Sequence, residues 1–281
     1  MADPPAMFSL SERELADISG FVKDRYGVNL ASKSTLIESR LGCYLASRGF
    51  GSYGAYFDFV LGDATGAEMA NLISRITTNH TFFMREKDHF DIFSKEVLPW
   101  IESLPDNDDL RIWSAGCATG EEPYAISIHI LEYMAARGYL QNGCDTTILA
   151  SDISEKALLT AAEGVYNSEN LSAMPPDWIL KYFVGLGNGA YRVTPELRKS
   201  VAFKKINLLD PIKPKKPFHA VFCRNVMIYF DAETRASLIS RLHGAMAPGA
   251  FLFIGHSESL ANHKSGFEYI SPSVYRKSSV V

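Results

Sequence analysis

The sequence predicts an α/β protein: a doubly wound, mostly parallel sheet preceded by an all-helical module. Two observations predict the layers. From about residue 110, short apolar runs alternate with helical patterns, the spacing of β–α units in a parallel sheet. Residues 9–75 carry helical periodicity and no strand pattern. A third bounds the size: 281 residues, 47% hydrophobic and 21% charged, suffice for two domains with proper cores.

The elements follow in order. Ser9 or Ser11 can cap a first helix in which Leu15, Ile18, Phe21 and Val22 share a face, and Gly27 ends it. A second helix is expected from Ser32 to Arg48, with Leu36, Ile37, Leu41 and Leu45 as its stripe. SYGAYFDFVLG and AEMANLISRITT supply two more. LRIWSA, TTILASD, FHAVFCRNV and AFLFIGHSE read as strands, with helices over EPYAISIHILEYMAARG, EKALLTAAEG and AETRASLISRLHGAMAPG. FEYISPSVYRKS reads as two strands around a turn. Residues 165–205 interrupt the alternation and are expected to form an inserted antiparallel hairpin subdomain. The expected division is 1–75 (all-helical), 76–90 (a linker contributing to the cofactor site) and 91–281 (the sheet domain).

Charge and composition exclude several classes. Lys and Arg number 28 against 32 Asp and Glu, a net charge of −4, which argues against a general nucleic-acid binder. No apolar run reaches 18 residues, and MADPPAMFSLSERELADI has no basic segment before an apolar one, so neither membrane insertion nor secretion is expected. Cys43, Cys117, Cys144 and Cys223 lie far apart, which fits free thiols in a reducing cytoplasm better than disulfides or a metal site.

Chemistry concentrates at the strand ends. WSAGCATGEEPY takes a strand through Gly116 and Gly120 into a helix, where a doubly wound sheet binds cofactors. The spacing is G-x-x-x-G, and Glu121 and Glu122 occupy the place a pyrophosphate would take, which disfavours a dinucleotide. A cofactor bearing a cation and an amine, such as S-adenosylmethionine (SAM), suits this turn; an ordinary strand–helix turn is the alternative. Asp152 can accept from ribose hydroxyls or simply cap the next helix. Arg224 and Asn225 end the fourth strand, facing the cleft or a surface partner, and Tyr229 follows. TTNHTFFMRE sets Asn79, Thr81 and Arg85 among Phe82, Phe83 and Met84, either as a cover over the site or as an amphipathic linker.

TTNHTFFMRE, WSAGCATGEEPY, INLLD, FCRNVMIYFD and GHSE, in this order and spacing, resemble the chemotaxis receptor glutamate methyltransferases, the CheR family, over nearly the whole chain. The resemblance implies that the sheet is of the S-adenosylmethionine-dependent methyltransferase type. It also implies methyl transfer from SAM to glutamyl side chains in the cytoplasmic helical region of chemoreceptors, giving methyl esters and S-adenosylhomocysteine. It implies cofactor contacts at Asn79, Thr81, Arg85, Glu122 (favoured over Glu121), Asp152, Asn207, Leu208, Arg224 and Asn225. Arg85 and Tyr229 it places nearest the reacting methyl. Met84 departs from the family's second phenylalanine, with altered packing expected. The short turn VGLGNGAYRV implies an enzyme that does not grip a receptor tail peptide.

Lys33, Arg40 and Arg48, spaced by seven and eight, are expected along one side of the second helix, where they would steer an acidic receptor helix. A solvated basic face is the plainer reading. His80 and His256 are expected to make hydrogen bonds and not to serve as bases. Two rivals stand: a methyltransferase for another acceptor, and a SAM-binding sensor or adaptor without turnover.

Overall fold

The computed structural model describes residues 9–77, 79–105, 109–137, 145–260 and 266–278. Four helices open the chain: α1 (Glu12–Tyr26), α2 (Ser34–Ser47), α3 (Tyr53–Gly62) and α4 (Ala67–Ile76). Ser11 caps α1 reciprocally with Glu14, and Gly27 closes it in the left-handed conformation. Ile18, Val22, Ile37, Leu41, Tyr56 and Leu72 are buried between these helices.

An irregular stretch leads to α5 (Lys87–Ile92), which runs through a π turn at Phe93–Val97 into α6 (Leu98–Glu102). The sheet domain then follows: β1 (Ile112–Ala115), α7 (Glu121–Arg137), β2 (Ile148–Asp152) and α8 (Glu155–Glu163). The excursion comprises β3 (Val165–Asn167), α9 (Pro176–Tyr182), β4 (Phe183–Gly187), β5 (Ala190–Val193) and α10 (Pro195–Lys199). The chain continues through β6 (Val201–Lys205), β7 (Phe218–Cys223), a 3-10 turn at Met227–Tyr229, α11 (Ala232–Ala245), β8 (Met246–Ile254), β9 (Phe267–Ser271) and β10 (Val274–Lys277).

The main sheet has seven strands in the order β6-β2-β1-β7-β8-β10-β9. β6, β2, β1, β7 and β8 run parallel, β10 is antiparallel to β8, and β9 is antiparallel to β10. β3, β5 and β4 form a separate antiparallel sheet. The excursion is shorter than the expected 165–205. Val201–Lys205 returns to the main sheet as its edge, in register from Ile148 with Val201 to Asp152 with Lys205.

Two apolar cores flank the sheet. One joins the helical module, α11 and Trp113, Val221 and Leu252 of the sheet. The other seats α5, α6 and α7 on the opposite face, with Phe222 and Phe253 stacked at 4.3 Å. The helical module is therefore fastened to the sheet domain by shared core. Val28 also forms an antiparallel bridge with Phe230, and Asn29 N–H donates to the Tyr229 carbonyl at 2.8 Å. Cys43, Cys117 and Cys223 are free thiols, and Cys144 lies outside the described residues. Among the described residues no helix is long and apolar enough to cross a membrane.

Candidate active site

The strand order reverses direction beside β1, and the carboxyl ends of β1, β2 and β7 open there into a cleft. Asn225 and Tyr229 line both of its halves and mark a waist between them. One half, ≈ 100 Å³, is walled by Asn79, Asp152, Asn207, Leu208 and Phe230, with Tyr26 and Val28 of the helical module closing it. The other, ≈ 170 Å³, is walled by Thr81, Arg85, Glu122 and Arg224, with the exposed Phe82 and Ile228 at its rim.

The first half is shaped by backbone. Gly116 and Gly120 take φ values of 82° and 95°, which a β-carbon would strain, and this lets the turn fold back on β2. The amides of Gly116 and Cys117 donate to the Ser151 carbonyl at 2.7 and 2.9 Å. The Ala118 amide donates to one carboxylate oxygen of Asp152 at 2.9 Å, and the Ser154 amide to the other at 2.8 Å. Ser154, not Asp152, caps α8, so the capping alternative for Asp152 falls. Burial pushes the Asp152 carboxyl above its ordinary range despite both amides. Asn207 is partly committed: its amide donates to the Arg25 carbonyl at 2.8 Å, and its oxygen accepts from Leu209 N–H at 3.0 Å.

The second half is shaped by ions. Arg224 is 2% exposed and pairs with Glu86 at 3.0 Å and Glu122 at 3.3 Å, while also donating to the Arg85 carbonyl. Burial raises Glu86, but Arg224 and the His256 amide outweigh it, so this carboxyl lies below its usual range. For Glu122 burial dominates and the carboxyl is raised, with Ser114 Oγ donating to it at 2.6 Å. Arg85 donates to the His80 carbonyl at 3.2 Å. Met84, Glu86, Ala118 and Asn225 all hold left-handed backbone around the cleft, the kind of strain that collects at functional sites.

All nine expected cofactor-contact residues line the cleft, and so does Tyr229. Glu121 does not: it is 2% exposed and accepts from Thr119 Oγ at 2.7 Å and Asn170 Nδ2 at 3.1 Å. The linker behaves differently from a simple cover. Of Phe82, Phe83 and Met84 only Phe82 lines the cleft, while Phe83 and Met84 are buried in the core, Phe83 edge-on to Tyr166 and Phe183. The His256 ring hydrogen-bonds to Asp88 at 3.1 Å, whereas the bond at His80 is made by its backbone carbonyl, which accepts from Arg85.

The basic row on α2 is corrected by the structure. Lys33 precedes the helix as its N-cap, while Arg40 donates to the carbonyls of Arg75, Ile76 and Thr77 at 3.4, 3.0 and 2.6 Å. Those carbonyls end α4 without intrahelical partners, so they draw in a cation. Arg48 pairs with Glu68 at 3.2 Å. Sequence reasoning also passed over Glu86 and Glu258, although each stands inside a motif it singled out. Glu86, His89 and His256 bring ligand atoms within 4.8 Å of one another, but Arg224 already supplies the positive charge beside Glu86.

Family models match both parts of the chain: CheR methyltransferase, SAM binding domain, over residues 79–276, and CheR methyltransferase, all-alpha domain, over residues 13–77. The chain belongs to the CheR methyltransferase family. It is similar to the chemotaxis protein methyltransferase of Borreliella burgdorferi, 38% identical over 96% of this chain and 95% of that one. It is also similar to chemotaxis protein methyltransferase 1 of Pseudomonas aeruginosa (34%; 91% and 94%) and to that of Salmonella typhimurium (33%; 95% and 91%). The CheR cleft has acceptors that fit SAM. A buried carboxylate, Asp152, stands in the apolar half and a half-buried one, Glu122, in the polar half, the acceptors that a diol and an ammonium require.

Proposed function

We propose that this chain transfers the methyl group of SAM to glutamyl side chains of chemoreceptors. The observation that carries the reading is the waist. Tyr229 and Asn225 sit where the apolar, Asp152-bearing half meets the polar half that opens past Phe82 and Ile228. In this reading Asp152 takes the ribose hydroxyls, Asn207 and Leu208 flank the adenine, and Asn79, Thr81 and Asn225 complete the polar lining. Glu122 and Arg224 face the amino-acid end.

When bound, SAM supplies a methyl group activated on a sulfonium. A glutamate acceptor has an ordinary pKa of about 4.3, so it arrives as the anion and the chain needs no general base. The residues hold, orient and exclude water. Arg85 steers the incoming carboxylate while its bond to the His80 carbonyl limits tight pairing, which would quench the nucleophile. Tyr229 orients the reacting groups by hydrogen bonding. Alignment of this kind is worth up to about 7–11 kcal/mol.

Lys33 and Arg48 remain exposed for an acidic receptor helix, whereas Arg40 is committed to α4. Charge reversal at both should raise the receptor KM and leave SAM affinity unchanged; equal receptor kinetics would reject their part. The short β4–β5 turn supports action without a receptor tail peptide. The main test is transfer of radiolabelled methyl from SAM to chemoreceptor-containing membranes. Base-labile label on the receptor is expected, and absence of label with SAM binding intact would overturn the reading.

A further inference from the structure

The loop after β8 carries a partly buried carboxylate, Glu258, that lines neither half of the cleft. No lysine or arginine pairs with it among the described residues. Its partners are backbone amides: Asn225 at 3.0 Å and Gly255 at 2.5 Å on one oxygen, and Ile228 at 3.1 Å on the other.

Two of those amides belong to the segment that carries Arg224, Asn225 and Tyr229. That segment is held at its ends, by the Arg224 ion pairs and by the Asn29 amide on the Tyr229 carbonyl, and Asn225 Nδ2 donates to Glu86 at 3.4 Å. The backbone amides between those ends find their side-chain acceptor only in Glu258 among the described residues. Asn225 is left-handed with φ 58°, and the 3-10 turn at Met227–Tyr229 has no side-chain cap of its own. The loop also abuts it directly. A β-carbon on Gly255 would lie 2.3 Å from Asn225 Nδ2 and 2.9 Å from its backbone nitrogen. Ser273 Oγ fastens the loop from behind by donating to the Gly255 carbonyl at 3.2 Å.

We propose that Glu258 is a positioning residue for methyl transfer, its carboxylate acting as the remote cap that fixes Asn225 and Tyr229 at the waist. This rests on the reading of the cleft given above. The geometry requires a carboxylate: two oxygens serve three amides, whereas a glutamine has one acceptor oxygen and turns an NH2 toward the remaining amide. Burial pushes the Glu258 carboxyl above its ordinary range, the cost of holding an acceptor there without a cation.

The test uses the full chain with Glu258→Gln and Glu258→Ala, and Ser52→Ala, which removes the cap of α3, as a stability control. Amide hydrogen exchange at Asn225, Ile228 and Gly255 should quicken about tenfold or more in both Glu258 variants, with β1 and β2 unchanged. SAM affinity by calorimetry should fall about tenfold, and kcat should fall further while the receptor KM holds. Glu258→Gln should stand between wild type and alanine. Wild-type exchange and SAM affinity in folded Glu258→Gln, with only the stability loss of Ser52→Ala, would overturn the proposal. Failure of the wild type to label receptors would sink the glutamate reading alone, because the exchange and binding measurements do not involve the acceptor.

Discussion

The two halves of the cleft are made by different means. Around Asp152 the contacts are backbone amides of adjacent β–α units, and the span from Ala118 to Asp152 is 34 residues. Around Arg224 they are charged side chains drawn together over 102 residues to Glu122 and 138 to Glu86. A doubly wound sheet delivers the first half wherever it forms. The second exists only if distant side chains meet, so single substitutions should damage it more.

The largest effect is expected at Arg224. Arg224→Ala leaves Glu86 and Glu122 without their cation and should destabilise the fold by about 3–5 kcal/mol in urea unfolding. Adding Glu122→Gln should return part of that loss, and a loss below 1 kcal/mol would erase the contrast between the halves. Next comes Glu121, whose carboxyl burial pushes up to about 7 from an ordinary 4.5. The folded chain keeps this proton to higher pH than the unfolded chain. Its contribution is therefore full below pH 4.5 and is lost as pH rises through 7, a change of about 3 kcal/mol. Glu121→Gln keeps both hydrogen-bond positions and should flatten that slope; parallel pH curves for variant and wild type would contradict it.

Asp152→Asn should weaken SAM by about 10–100-fold in calorimetry, with less effect on melting than Arg224→Ala. An equal or larger melting shift would make the two halves alike. The smallest change is Tyr229→Phe, expected to lower kcat about tenfold at saturating SAM, as for loss of one hydrogen bond. An unchanged rate would remove the tyrosine hydroxyl from the reaction.

Much of this was legible in the chain. The β–α alternation and the Gly27 cap stand in short local patterns, where spacing translates directly into position. The α1 cap is narrowed to Ser9 or Ser11, and the motifs shared with the family mark the cleft-lining acids and amides. What the sequence hid depends on contacts between segments. Val201–Lys205 looked like part of the excursion because nothing local says that it pairs with β2. Arg40 looked like a free surface cation because its partners are the open carbonyls of another helix. Glu121 and Glu122 are neighbours on one helix, and only the directions of their side chains separate a core carboxyl from a cleft carboxyl.

The bridge between Val28 and Phe230 makes the helical module one wall of the Asp152 half of the cleft. A truncated chain starting at Asn79 would keep every cleft-lining acid and guanidinium and still open the Asp152 half of the cleft to solvent. The boundary near residue 78 is thus not a line along which the enzyme can be cut without opening its cleft.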